Sequence, residues 1–173
     1  MATIVDFQIE ELCLGINLIS PFNADQLNPA SYDVRIGKNI LRQMPDGAWH
    51  KMTTPYLLDP GEFILAEIQE TISLPADIEA TFQLKSSRGR EGYEHVMSGY
   101  IDPGYSGVIT LELVNVNRYK SLPIEEGMKI GQLRFMKTDA PARNPYWDTG
   151  HYQQDTGVTP SRVDIFGQVI EGI

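Results

Sequence analysis

Two short stretches of this 173-residue chain carry residue types and spacings that could do chemistry. The first is SGYIDPGYSGVITLELVN, Ser98 to Asn115, which places two acids, Asp102 and Glu112, in an otherwise apolar and glycine-rich run. Period-two alternation sets Val108, Thr110, Glu112 and Val114 on one face of a strand, with Ile109, Leu111 and Leu113 on the other. If the Thr110–Glu112 face lines a pocket, desolvation raises the Glu112 pKa toward the range useful for proton transfer. A strand glutamate that faces water or pairs with a cation fits the same letters, and it is the commoner case. The second stretch is LKSSRGREG, Leu84 to Gly92, which offers Lys85, Arg88 and Arg90, the hydroxyls of Ser86 and Ser87, and Gly89 and Gly92. Glycines let backbone N–H groups approach an anion closely. Arginine forks and hydroxyls add charge-assisted hydrogen bonds. The stretch reads as a phosphate-binding loop or, on composition alone, equally as a solvated basic turn. It is not a Walker loop, because that glycine spacing and the terminal Lys-Ser/Thr are missing.

Other chemistries find no footing. The histidines, His50, His95 and His151, lack the H-x-E with P-C-x-x-C, or H-E-x-x-H, that a zinc deaminase or hydrolase needs. They read as ordinary polar or core residues, and no G-x-S-x-G elbow marks a serine nucleophile. Cys13 is the only cysteine, which excludes a disulfide or a cysteine-based zinc site within one chain. Net charge is −9, so a general nucleic-acid-binding surface is not expected. A small anionic ligand remains compatible if basic residues cluster locally or a divalent cation bridges it to the acids. No apolar run approaches the roughly 20 residues of a membrane helix. The opening MATIVDFQIEEL carries acids where a secretory signal carries basic residues. A cytoplasmic protein with no membrane partner is the expectation.

The elements that must position these residues are mostly strands. YDVRIG, FILAEIQETISL, IEATFQLK, GVITLELVNVN and KIGQLRFMK are rich in β-branched or alternating apolar residues. MPDGAW, LDPGEF, DPGYSG and EEGMK separate them as turns. Many short strands at regular spacing predict an all-β sandwich, jelly roll or barrel. Residues 3–15 are expected to form a short amphipathic helix through Val5, Ile9, Leu12 and Cys13, and ISPFNADQLNPASY to form a loop. The length suggests one domain, residues 1–173, ending in an irregular tail over about 140–173.

In order along the chain, these stretches resemble the dCTP deaminases, members of the trimeric dUTPase superfamily. GINLISPFNADQLNPASYDVRIG is similar to the family's N-terminal segment, and LDPGEFILAEIQETISLP to its HPGE strand pair. KSSRGREG is similar to its R-S-S-x-x-R-x-G loop, and IDPGYSGVITLELVN to the segment bearing its catalytic glutamate. GMKIGQL and TPSR complete a set that covers nearly the whole chain.

The resemblance implies an all-β jelly-roll or double-stranded β-helix core of dUTPase-like fold with a short N-terminal helix. It implies a homotrimer with active sites between subunits, and a zinc-independent reaction that converts dCTP and water to dUTP and ammonia. Glu112 matches the glutamate that takes a proton from water attacking C4, and Ser86 and Arg90 match its supporting serine and arginine. Lys85, Ser86, Ser87, Arg88, Gly89 and Arg90 would hold phosphates, with Lys85 standing where the family usually has arginine. Asp102 would accept the deoxyribose 3′-hydroxyl, and the backbone at Thr110 and Leu111 would read the base. Gln132 and Tyr146 would face the phosphates, which arrive with Mg²⁺. His151 and Asp155 occupy tail positions where the family has lysine and glutamine, and an acid there needs a cation beside it. Met97-Ser98 stands where Thr-Ala is usual, in a segment tied to base selection and to feedback inhibition by dTTP. The wording SGYIDPGYSG and GQL resembles the bifunctional members that continue to dUMP and diphosphate. The alternatives are a dUTP diphosphatase alone, or a catalytically silent nucleotide-binding trimer that acts through protein partners.

Overall fold

The computed structural model describes residues 2–96, 99–164 and 168–170. Its strands are β1 (Ala2–Thr3), β2 (Ile19–Ser20), β3 (Leu27–Asn28), β4 (Ser31–Gln43), β5 (Trp49–Thr53), β6 (Tyr56–Leu58) and β7 (Phe63–Ser73). They continue with β8 (Ile78–Leu84), β9 (Tyr93–His95), β10 (Tyr100–Ile101), β11 (Ser106–Asn115), β12 (Leu122–Ile124) and β13 (Lys129–Lys137). Three helices, α1 (Asp6–Ile16), α2 (Ser86–Glu91) and α3 (Tyr146–Thr149), complete the order.

The main sheet runs β10-β8-β13-β4-β7-β11-β9, antiparallel throughout, and β6 pairs separately with β12. Strand β4 joins its two halves. Its first part, Tyr32 to Arg35, pairs with β13, and its later part, Ile40 to Arg42, pairs with β7. Between them the register shifts, at Ile36 to Ile40. The sheet thereby curls on itself around one core, which includes Tyr32, Ile36, Ile64, Ile68, Leu111, Leu113, Leu133 and Phe135. This is the jelly-roll type of architecture that the alternating strands predict.

Helix α1 starts three residues later than expected. Val5 lies just before it, and the Val5 N–H donates to Gln8 Oε1 at 3.1 Å. Asn17 ends it in the left-handed conformation, at φ 55. Ile9 and Cys13, one turn apart, bury against the core. Burial pushes the Cys13 thiol up to about 11, against a backbone hydrogen bond at Ile19 that lowers it. The predicted loop ISPFNADQLNPASY contains the two-residue strands β2 and β3 and one 3-10 turn, pieces too short to show periodicity. LKSSRGREG is not a loop either: its centre is α2, closed by Gly92 at φ 108. Among the described residues no helix is long and apolar enough to cross a membrane.

Candidate active site

Strand β11 separates its side chains as its alternation requires. Leu111 and Leu113 are fully buried, while Glu112 keeps 30% of its side chain exposed on the opposite face. The register with β7 shifts between Val108 and Thr110. That irregularity breaks the simple alternation, so Ile109 lines the hollow with Thr110 and Glu112 instead of joining the leucines. On the other edge of β11, His95 lies directly across from Leu113. The His95 side chain is almost wholly buried, and its Nε2 lies 3.2 Å from Glu112 Oε2. Its ring packs against Phe82 at 4.7 Å. Sequence reading passed over His95, because cross-strand register, not a motif, brings it to the glutamate.

Three adjoining hollows form one cleft around these groups. The first, about 200 Å³, is lined by His95, Tyr100, Ile109, Thr110 and Glu112 among others. The second, about 230 Å³, shares Tyr100, Thr110 and Glu112 and adds Asp102, Tyr105, Tyr146, Tyr152, Asp155 and Thr159. A third, about 240 Å³, shares Asp102 and Tyr146 with the second and ends at His151. Burial first, and the Glu79 charge second, push the Asp102 carboxyl above the usual range. Glu79 also accepts a 3.0 Å hydrogen bond from the Tyr100 hydroxyl. The Tyr105 hydroxyl donates to Val108 O at 2.9 Å, and its ring meets Tyr146 edge-on at 5.5 Å.

The tail closes one side of the cleft. Tyr146 N donates to Pro103 O, Gln154 N to Ser106 O at 2.6 Å, and Val108 N to Asp155 O at 2.7 Å. Thr159 N then donates to Thr110 Oγ1 at 3.1 Å. Residues 153–159 thus lie along β11 as a strap. Gly107 permits this approach, since a Cβ there would sit 2.9 Å from Asp155 N. The acid at 155 does have a cation: Arg162 Nη2 lies 2.6 Å from its carboxylate, which also accepts from Thr159 Oγ1 at 2.8 Å. Arg162 Nη1 donates to His151 O, and its guanidinium stacks over Tyr152.

The basic stretch forms a second cluster, apart from this cleft within one chain. Ser86, Ser87, Gly89 and Arg90 are exposed on α2, and Arg88 pairs with Glu91 at 2.6 Å. Lys85 points away from any loop, onto Asp33 at 2.7 Å, where Lys129 joins it at 3.2 Å. Burial pushes the Asp33 carboxyl up, but hydrogen bonds from Lys85, Asn28 and Lys129 outweigh it and hold it below the usual range. Gln132, next to Asp33 in register, accepts a 3.0 Å hydrogen bond from Ser31. So the structure gathers Glu112, Asp102, Thr110, Tyr146, His151 and Asp155, and separately Lys85 to Arg90 with Gln132. Leu111 sends its side chain into the core. Met97 and Ser98 lie outside the described residues. Among the described residues no three His, Cys, Asp or Glu side chains gather as metal ligands.

The family model for dCTP deaminase-like proteins matches residues 5–138. The chain belongs to the dCTP deaminase-like family. A protein of Acidothermus cellulolyticus named "dCTP deaminase, dUMP-forming" is 40% identical over 174 residues, which cover 88% of this chain and 90% of that one. A protein of the same name from Dictyoglomus thermophilum is 36% identical over 160 residues, 81% and 82% of the two chains. Among solved structures, the 2'-deoxycytidine 5'-triphosphate deaminase of Agrobacterium tumefaciens superposes with TM-score 0.65 at 26% identity. That match covers 77% of this chain and 47% of the other. A dUTPase from phage phi11 of S. aureus shares the fold, with TM-score 0.53 at 17% identity over 75% and 90% of the chains. The family match covers Glu112, Asp102 and the α2 serines and arginines, and it ends before the strap.

Proposed function

We propose that this protein is a dCTP deaminase, acting as a homotrimer, that continues from dUTP to dUMP. One observation carries the reading: the Glu112 carboxylate opens onto a cleft that also holds Asp102 and Thr110, with buried His95 3.2 Å behind it. The relatives named above supply the substrate. Glu112 takes a proton from water as its oxygen attacks C4 of cytosine, and delivers protons to N3 and to the leaving amine. Ammonia departs as C4 becomes a carbonyl. His95 restrains the glutamate so that its free oxygen faces the base. Asp102, next along the cleft, accepts the 3′-hydroxyl of the sugar, and the triphosphate extends toward Tyr146 and His151. In the second step water attacks the α-phosphorus of dUTP, releasing dUMP and diphosphate.

Ser86 and Arg90 are exposed and do not line the Glu112 cleft of their own chain. Their place in the reading is in the cleft of a neighbouring copy, which is why a homotrimer belongs to it. Mg²⁺ enters on the nucleotide phosphates, since Asp33 is already held by two lysines. dTTP shares the deoxyribose and triphosphate and would compete for the same cleft.

The test incubates purified protein with dCTP and Mg²⁺ and follows ammonia, dUTP, dUMP and diphosphate. Ammonia with dUMP and diphosphate is the expected result, and Glu112→Gln should lower turnover by about 10²–10⁴-fold. Ammonia with dUTP alone would remove the second step. Diphosphate from dUTP without ammonia from dCTP would overturn the deaminase reading, and tight binding without turnover would indicate a silent nucleotide-binding trimer.

A further inference from the structure

A carboxylate that the proposed chemistry does not use sits on the other side of the strap. Glu67 of β7 lies directly opposite Thr110 of β11 and is buried, at 8% exposure. Its Oε1 accepts two hydrogen bonds from Asn39, from the backbone N at 2.9 Å and from Nδ2 at 2.7 Å. Its Oε2 accepts from Val158 N at 3.2 Å. The next N–H of the strap, Thr159 N, is the one on Thr110 Oγ1. Two successive strap N–H groups therefore dock on two side chains that face each other across β7 and β11. Space for the glutamate comes from two glycines. A Cβ on Gly37 would overlap Glu67 Cγ, and one on Gly157 would lie 3.0 Å from Oε2.

We infer that Glu67 is a positioning residue for the cleft: it seats Val158 and Thr159 so that Thr159 forms a wall of the hollow holding Glu112 and Asp102. The strap separates that hollow from a larger one of about 660 Å³, lined by Glu67, Gly157, Val158, Lys51 and Met52. The larger space contains neither Glu112 nor Asp102, so size does not mark the reacting side. A buried carboxylate needs donors on both oxygens. Asn39 serves one oxygen from the body of the fold. The strap serves the other, and opening it exchanges a charge-assisted bond for water. The consequence for turnover rests on the proposed function, whereas the strap contact itself does not.

Glu67→Gln discriminates. The amide oxygen stays with the two Asn39 donors, and the NH₂ then faces Val158 N, donor against donor. The body keeps its contacts and the strap loses one. Hydrogen exchange on the full-length protein should show the segment around Val158 and Thr159 exchanging about tenfold faster, with Asn39 unchanged. The KM for dCTP should rise about tenfold with kcat within about twofold, the pattern of lost uniform binding. Gly157→Ala presses on the same oxygen from the strap side and should reproduce both effects if Glu67→Gln folds poorly. Unchanged exchange at Val158–Thr159 in a folded variant, or faster exchange with unchanged KM, overturns the inference. If the wild-type protein releases no ammonia from dCTP, the proposed function fails, and the exchange measurement still decides the strap contact.

Discussion

Arg162 is the most informative single residue to remove. Its guanidinium meets the Asp155 carboxylate at 2.6 Å, where Asp155 keeps only 4% of its side chain exposed. Without the arginine, the carboxylate retains one side-chain donor, the Thr159 hydroxyl, in a buried setting. Breaking a buried pair costs about 3–5 kcal/mol, because it leaves a charge uncompensated. Arg162 is 35% exposed, so the low end, about 3 kcal/mol, applies. Six hydrogen bonds tie the strap to the body, four through the Gln154, Val108, Val158 and Thr159 N–H groups and two through the Gln153 side chain, at about 1 kcal/mol each. The penalty is therefore about half of what these bonds supply, and the strap, not the β core, should loosen. Arg162→Ala is expected to raise KM for dCTP strongly with little change in the melting of the core. Asp155→Asn removes the charge and keeps an acceptor for Thr159, at about 1 kcal/mol. The double variant should then be scarcely worse than Asp155→Asn alone. That corresponds to a coupling of about 3 kcal/mol, or roughly 150-fold in KM, from steady-state kinetics on the four proteins. Additive effects, with coupling under about 0.5 kcal/mol, would refute the pairing as the reason Asp155 is tolerated.

Glu79→Gln should lower the Asp102 titration midpoint, followed by carboxyl-carbon NMR. Because Asp102 is raised in the folded state, the accompanying gain in stability should be present at neutral pH and vanish below the usual aspartate value of 3.8. Cys13 should resist thiol reagents at pH 7.5 in the native protein and react fully once unfolded, since burial holds its pKa near 11. Gly131→Ala should cost about 1–3 kcal/mol in chemical denaturation, because its Cβ would overlap the Phe82 ring and lie 2.7 Å from Gln83 O.

Much of the cleft was legible for a physical reason: strand periodicity is written in consecutive letters. Alternation alone placed Glu112 beside Thr110 and against the leucines, and DPG marked the turn after Asp102. The resemblance then supplied a role for the glutamate. Helix α2 was not legible, because six residues with two serines and a glycine show no helical period and look like a loop. Glu67 was hidden for a related reason. It lies inside FILAEIQETISL, where a buried acid is outnumbered by apolar neighbours, and its partners Asn39 and Val158 are 28 and 91 residues away.

By itself, then, the amino-acid sequence determined the five long strands β4, β7, β8, β11 and β13, the turns and the family, since these follow from local patterns and ordered motifs. Tertiary structure alone decided which polar groups meet. Register across β11 set His95 behind Glu112, and the shift at Val108–Thr110 brought Ile109 into the cleft. The folded-back tail gave Asp155 its arginine, and the fold set Lys85 against Asp33. Those pairings depend on long-range strand register and on the desolvation of charges, and neither quantity is written in any short stretch of the chain.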